Sequence, residues 1–148
     1  MTVSDPDDRQ ALADLVAAYA HGCDCRRPEE VAALYTEDGG YAIVDAGVEP
    51  IEVRGRERMA RGFSRLDRYE HTFHQIGQQT VVLDGDRASG ETYCLAHHVE
   101  VAADGSRSVM IMHIRYQDRY ARTPDGWKFE FRTLMVDWRE TRPLTDAQ

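Results

Sequence analysis

One carboxylate, Asp24, stands between two cysteines in YAHGCDCRRPEEVAALY, residues 19–35, at a predicted helix end just ahead of a charged run that reads as surface. Beside a basic partner such an acid orients and charges that partner; without one it caps a helix or bonds turn amides. The chain offers six histidines. His74 in TFHQIG alternates with Thr72 and Ile76, so it faces either a site or a hydrogen-bonded core position. In GETYCLAHHVEV, Thr92, Cys94, Ala96 and His98 share one strand face, and Tyr93, Leu95, His97 and Val99 share the other. Only one of the adjacent pair can therefore point inward. His71 falls on a loop before a strand, His21 on the polar side of the first helix, and His113 on a strand with no clear role.

Other chemistries are disfavoured. No histidine pair has the H-E-x-x-H or H-x-H form, and neighbouring strand residues such as His97 and His98 point apart, so no metal is expected. Cys23-Asp24-Cys25 has no second Cys/His pair at zinc-finger spacing, and three cysteines is an odd count; neither a structural zinc nor a disulfide framework follows. GDRASG sits at a hairpin signal and not at a helix start, which leaves no phosphate cradle and no cofactor implied. With 26 acidic against 18 Lys and Arg, a net charge of −8, the chain has no electrostatic reason to approach nucleic acid or an anionic membrane. No stretch nears the ~20 apolar residues of a membrane span, and MTVSDPDDRQ leads into no apolar signal region. The expectation is a cytoplasmic protein with a small-molecule partner.

The elements that must position these residues are written in two periods. At 148 residues and 42% hydrophobic, one domain spanning 1–148 is expected. Leu12, Leu15, Val16 and Tyr19 fall on one helical face, predicting a first helix from about 7 to about 22, ended by Gly22. PEEVAALY after Arg27 predicts a short second helix starting at Pro28. TEDGGYAIVDAG reads as turn, strand, turn, and VRGRERMARGFSRL as a third helix entered at Gly55 with Met59, Phe63 and Leu66 buried. From His71 on the period becomes two. Four strand-like runs are separated by DGD, DGS and TPDG, which are hairpin signals. Helices followed by a meander give an α+β fold whose sheet curls around the helices and leaves a pocket at its open end.

RYQDRYARTPDGWKFEFRTLMVDW, LYTEDGGYAI and TFHQIG, in that order and spacing, resemble the SnoaL-like branch of the nuclear transport factor 2-like superfamily over roughly residues 8–140. The resemblance implies an α+β, cone-shaped barrel: a strongly bent mixed β-sheet wrapped on three N-terminal helices, with the site inside the cone. The fold alone implies no activity, since it hosts isomerases, dehydratases, epoxide hydrolases, cyclases and binding proteins. It does bring Asp24 and His74 together, and the resemblance to scytalone dehydratases, hexachlorocyclohexane dehydrochlorinases and bile-acid 7α-dehydratases places a general-base dyad on them. The same resemblance puts a catalytic tyrosine at Tyr19, a substrate-binding or proton-donating histidine at His98, and a polar-end anchor at Arg132. For Tyr19 core packing, and for Arg132 a salt bridge to an acid such as Asp24 or Glu130, remain open. Tyr41, Met112 (or Met110) and Trp138 are expected to line the cavity.

Two related chemistries fit less well. A ketosteroid-isomerase base would fall on Ile43, with Asp45 displaced by two, and only parts of the Asp-Arg-Asp set of limonene epoxide hydrolase can be matched. The expected function is a cofactor-independent lyase of dehydratase type on a hydrophobic alcohol of polyketide or steroid size. Its alternatives are an isomerase, an epoxide hydrolase or cyclase, and a binding module. Apolar outer-face positions such as Tyr93, Leu95 and Val99 imply a homo-oligomer, dimer or trimer.

Overall fold

The computed structural model describes residues 5–145. Helix α1, Asp5–Asp24, buries the stripe Leu12, Leu15, Val16 and Tyr19 and packs mainly on the strand that carries His74. Its start is held from outside: Asp8 accepts from both terminal nitrogens of Arg122 (2.8 and 2.7 Å) and from Trp127 Nε1 (2.8 Å). Helix α2 is Pro28–Ala33 and α3 is Arg56–Phe63, followed by a 3₁₀ turn, Ser64–Arg68. Gly22 does not end α1. A Cβ there would lie 2.7 Å from Val31 Cγ2, so the glycine lets α1 and α2 approach, and the helix continues to Asp24.

The strands are β1 Tyr35–Asp45, β2 Ile51–Arg54, β3 His71–Asp84, β4 Arg87–Val101, β5 Arg107–Thr123 and β6 Gly126–Leu144. They form one mixed sheet in the order β2-β1-β6-β5-β4-β3, with β1 parallel to β6 and the other pairs antiparallel. Two of these strands precede α3, and β2 was not expected from the sequence. Gly85 and Gly126 take positive φ in the β3–β4 and β5–β6 turns, as the DG signals require. The sheet bends at irregularities in β3 (Ile76/Gln79) and at two places between β5 and β6. It curls around the helices without closing, with β2 and β3 as its edges. Inside lie Leu12, Val16, Tyr19, Tyr35, Met59, Tyr116, Tyr120 and Phe129. Among the described residues no helix is long and apolar enough to cross a membrane.

Candidate active site

Asp24 is the last residue of α1, and β3 runs past it so that the inward side chains of Thr72 and His74 meet its carboxylate. His74 Nδ1 lies 2.7 Å from Asp24 Oδ1, the His74 backbone N–H donates to Oδ2 at 2.9 Å, and Thr72 Oγ1 donates to Oδ1 at 3.0 Å. Burial by itself would raise the Asp24 carboxyl. The side-chain and backbone bonds from His74, the imidazole's charge and the Thr72 hydroxyl outweigh it and hold the group below its ordinary value. An ionised carboxylate only accepts, so Nδ1 carries a hydrogen, and in the neutral form of the imidazole the lone pair lies on Nε2.

His98 is the inward member of its pair, as strand parity requires. Its ring meets the edge of His74 (centroids 6.0 Å apart) and packs against Tyr69 (4.7 Å). It is 4% exposed, and its Nδ1 has no hydrogen-bond partner. Burial, and then the neighbouring His74, push the imidazole down from 6.5 to about 4. His98 is therefore neutral at pH 7 and suited to give or accept one hydrogen bond. Because its folded pKa is depressed, its stabilising contribution is full above pH 6.5 and is lost as pH falls toward 4. That window is worth on the order of 3 kcal/mol. Urea unfolding midpoints measured from pH 7 to 4.5 should fall more steeply for the parent than for His98→Gln; equal slopes would contradict it.

A second cluster lies deeper. Along the inner face of β4, Cys94 separates Ala96, opposite His74, from Thr92, opposite Tyr116. Arg132 is fully buried and forms a two-pronged pair with Asp118, Nε to Oδ1 and Nη2 to Oδ2, both 2.8 Å. Its guanidinium carbon lies 3.9, 4.3 and 4.4 Å from the ring centres of Tyr116, Phe129 and Tyr19. Arg132 thus pairs with neither expected acid: Asp24 is taken by His74, and Glu130 faces Arg87 and Arg119. Tyr19 lies in this aromatic cluster, edge-on to Phe63, Tyr116 and Phe129, and burial drives its hydroxyl well above the usual tyrosine value.

Tyr41 is buried, its ring 5.1 Å from Phe63, and Met112 packs against the core opposite Ala96. Trp138 is placed differently. Val136 pairs with the inward Ile114 and Trp138 pairs with His113, so Asp137 is an extra residue that flips the strand's parity. Trp138 is 57% exposed on the outer face, stacked on His113. Asp45, the displaced isomerase candidate, is ion-paired with Arg139. Wide hollows of about 430 and 280 Å³ lie on the outer sheet face, and neither is lined by Asp24 or His74. Size here does not mark the chemistry. Among the described residues no three His, Cys, Asp or Glu are grouped to hold a metal.

Sequence reasoning overlooked Thr72, Arg26, Tyr69 and Asp118. Parity alone could have flagged Thr72, which shares the face of His74, and Asp118, which shares that of Tyr116 and Tyr120.

Comparison with known proteins fixes the family. The sequence pattern of the SnoaL-like domain matches residues 5–133. The chain belongs to the SnoaL-like domain family. This SnoaL-like protein is 26% identical over 132 residues to an uncharacterized protein of Mycobacterium tuberculosis (86% of this chain, 84% of the relative). Its fold matches that of a candidate aromatic ring hydroxylase from Novosphingobium aromaticivorans (TM-score 0.79, 26% identity, 97% and 98% of the two chains). It also matches a hexachlorocyclohexane dehydrochlorinase of type 2 (TM-score 0.76, 21% identity, 97% and 95%), a likeness of fold.

Proposed function

We propose that the protein is a cofactor-independent lyase of dehydratase type acting on a small hydrophobic alcohol of polyketide or steroid size, with His74, oriented by Asp24, as general base. The observation that carries this reading is the 2.7 Å bond from His74 Nδ1 to Asp24 Oδ1, which leaves Nε2 as the proton acceptor. In this reading Nε2 takes the proton beside an activating group, the C–O bond breaks, and the hydroxyl leaves as water. The departing group gains its proton from Tyr19, which regains one from the His74 imidazolium, while neutral His98 donates a hydrogen bond to it. Tyr41 and Met112 would meet the apolar body of the substrate, whereas Arg132, fully buried with its fork on Asp118, would act from behind the aromatic cluster. The fold likeness to a dehydrochlorinase supports an elimination.

The test is loss of water from a panel of cyclic β-hydroxyketones with no added metal or cofactor. The parent is expected to form the conjugated enone and His74→Ala to form none. A His74→Ala protein as active as the parent, or one that binds the panel equally without turnover in either form, would sink the reading in favour of another base or a binding module.

The outer sheet face supports self-association as part of the same proposal. Phe73 (63% exposed) lies on this face, and Trp138, Tyr93 and Leu95 line its hollow of about 280 Å³. A second copy covering this face would remove that apolar surface from water. Sedimentation at micromolar concentration should show a dimer or trimer of the 16.9 kDa chain, and a monomer alone would exclude it.

A further inference from the structure

Among the described residues, Arg26 is a non-glycine residue held at positive φ, 57°. It sits just past the end of α1. The Arg27 N–H donates to Gly22 O at 3.0 Å and the Arg26 N–H to Cys23 O at 3.2 Å, the two bonds of a Schellman ending. Glycine usually fills this position because a Cβ is strained in the left-handed region. Such strain persists where the surroundings over-determine it and concentrates at functional sites.

Here the surroundings act on the side chain. Arg26 Nη1 donates to Thr72 Oγ1 at 2.6 Å and to Cys23 O at 3.0 Å, Nη2 donates to Tyr69 O at 3.3 Å, and Nε lies 3.7 Å from Asp67. The left-handed turn reverses the chain so that the guanidinium folds back over the helix end. The Thr72 hydroxyl has a single hydrogen. With the guanidinium donating to its oxygen, that hydrogen is directed to Asp24 Oδ1, the oxygen that also accepts from His74 Nδ1. Serial donors of this kind polarise one another.

We propose that Arg26 is a positioning residue for the dyad: through Thr72 it fixes the rotation of the Asp24 carboxylate, and through that carboxylate the plane and tautomer of the His74 imidazole. The assignment rests on reading Asp24 and His74 as the working pair. It differs from a purely structural clamp of α1 onto β3 in requiring that His74 respond when the Arg26–Thr72–Asp24 chain is broken from either end in a protein that stays folded.

Proton NMR of the full-length protein tests this without a substrate. The parent should show a downfield, slowly exchanging imidazole proton that disappears in His74→Ala. Three variants cut the link: Arg26→Gly, which suits the left-handed backbone; Arg26→Lys, which keeps charge without the fork; and Thr72→Val, which leaves Arg26 in place. In each, with methyl dispersion unchanged, that proton should exchange with water on the order of tenfold to a hundredfold faster, and turnover should drop by a similar factor. An unchanged resonance in the folded variants would leave Arg26 a clamp and overturn the proposal. So would a response in the Arg26 variants that Thr72→Val lacks, or a parent with no such proton. A resonance that responds throughout while Asp24→Asn keeps full activity would uphold the positioning and defeat the catalytic reading instead.

Discussion

Asp24→Asn is expected to leave a folded protein whose turnover has fallen by roughly 10³–10⁴-fold. The amide keeps the shape of the carboxylate, but only its one oxygen can accept, from either the Thr72 hydroxyl or the His74 backbone N–H, which bond different oxygens in the parent. It removes the anion that orders the imidazole and stabilises its charged form, and losses of that size follow when a catalytic histidine loses its carboxylate partner. His74→Ala should abolish turnover. The double variant should cost little more than His74→Ala alone, because residues acting as a unit are not additive. Activity and urea stability measured on these proteins and on Asp24→Ala decide the matter. If Asp24 only ties the end of α1 to β3, Asp24→Ala should lower stability by about 1–3 kcal/mol while activity per folded molecule stays within a few-fold of the parent.

The second large effect is on stability. Arg132 and Asp118 are 0% and 3% exposed, so removing either one leaves an unpaired charge inside the cone. Asp118→Leu or Arg132→Met alone should cost about 3–5 kcal/mol, which for a chain of this length lowers the melting temperature by roughly 10 °C or more. Replacing both together should recover most of that loss, since a well-packed apolar pair can equal a buried ion pair. Calorimetry on the two single variants and the double checks it. Single variants melting within a degree or two of the parent would show that water reaches the pair and that it is not sealed in the core.

The regular parts of this fold are written locally, and the sequence reads them correctly. The Leu12-Leu15-Val16-Tyr19 stripe sets the buried face of α1. The alternation Thr92-Cys94-Ala96-His98 orients β4, and the DG turns mark the hairpins. Parity on β3 likewise puts Thr72 and His74 on the same side. What escapes is set by contacts distant in sequence. Gly22 reads as a stop but is required by Val31, and the true left-handed residue, Arg26, looks like surface because its anchors Thr72 and Tyr69 lie more than forty positions away. β2 is four residues long at an exposed edge and too short to show a period. Trp138 keeps the parity of Arg132 and Val136 in the sequence, but the extra residue Asp137 turns it outward. The identity of Arg132's partner depends on the register of β5 on β6, which no local pattern states.

The placement of β1 between β2 and β6 has a consequence for how the chain assembles. Tyr35–Asp45 finds its parallel partner in Phe129–Val136, more than ninety residues later in the chain. Its other neighbour is the four-residue β2, and a short two-stranded ribbon is only marginally stable by itself in water. Closing so large a loop carries an entropy penalty that is repaid only once β6 has joined β5. On a ribosome, β1 therefore leaves the exit tunnel long before anything exists to complete it, and the wall of the cone built by Tyr35 and Tyr41 can form only after β6 has been made.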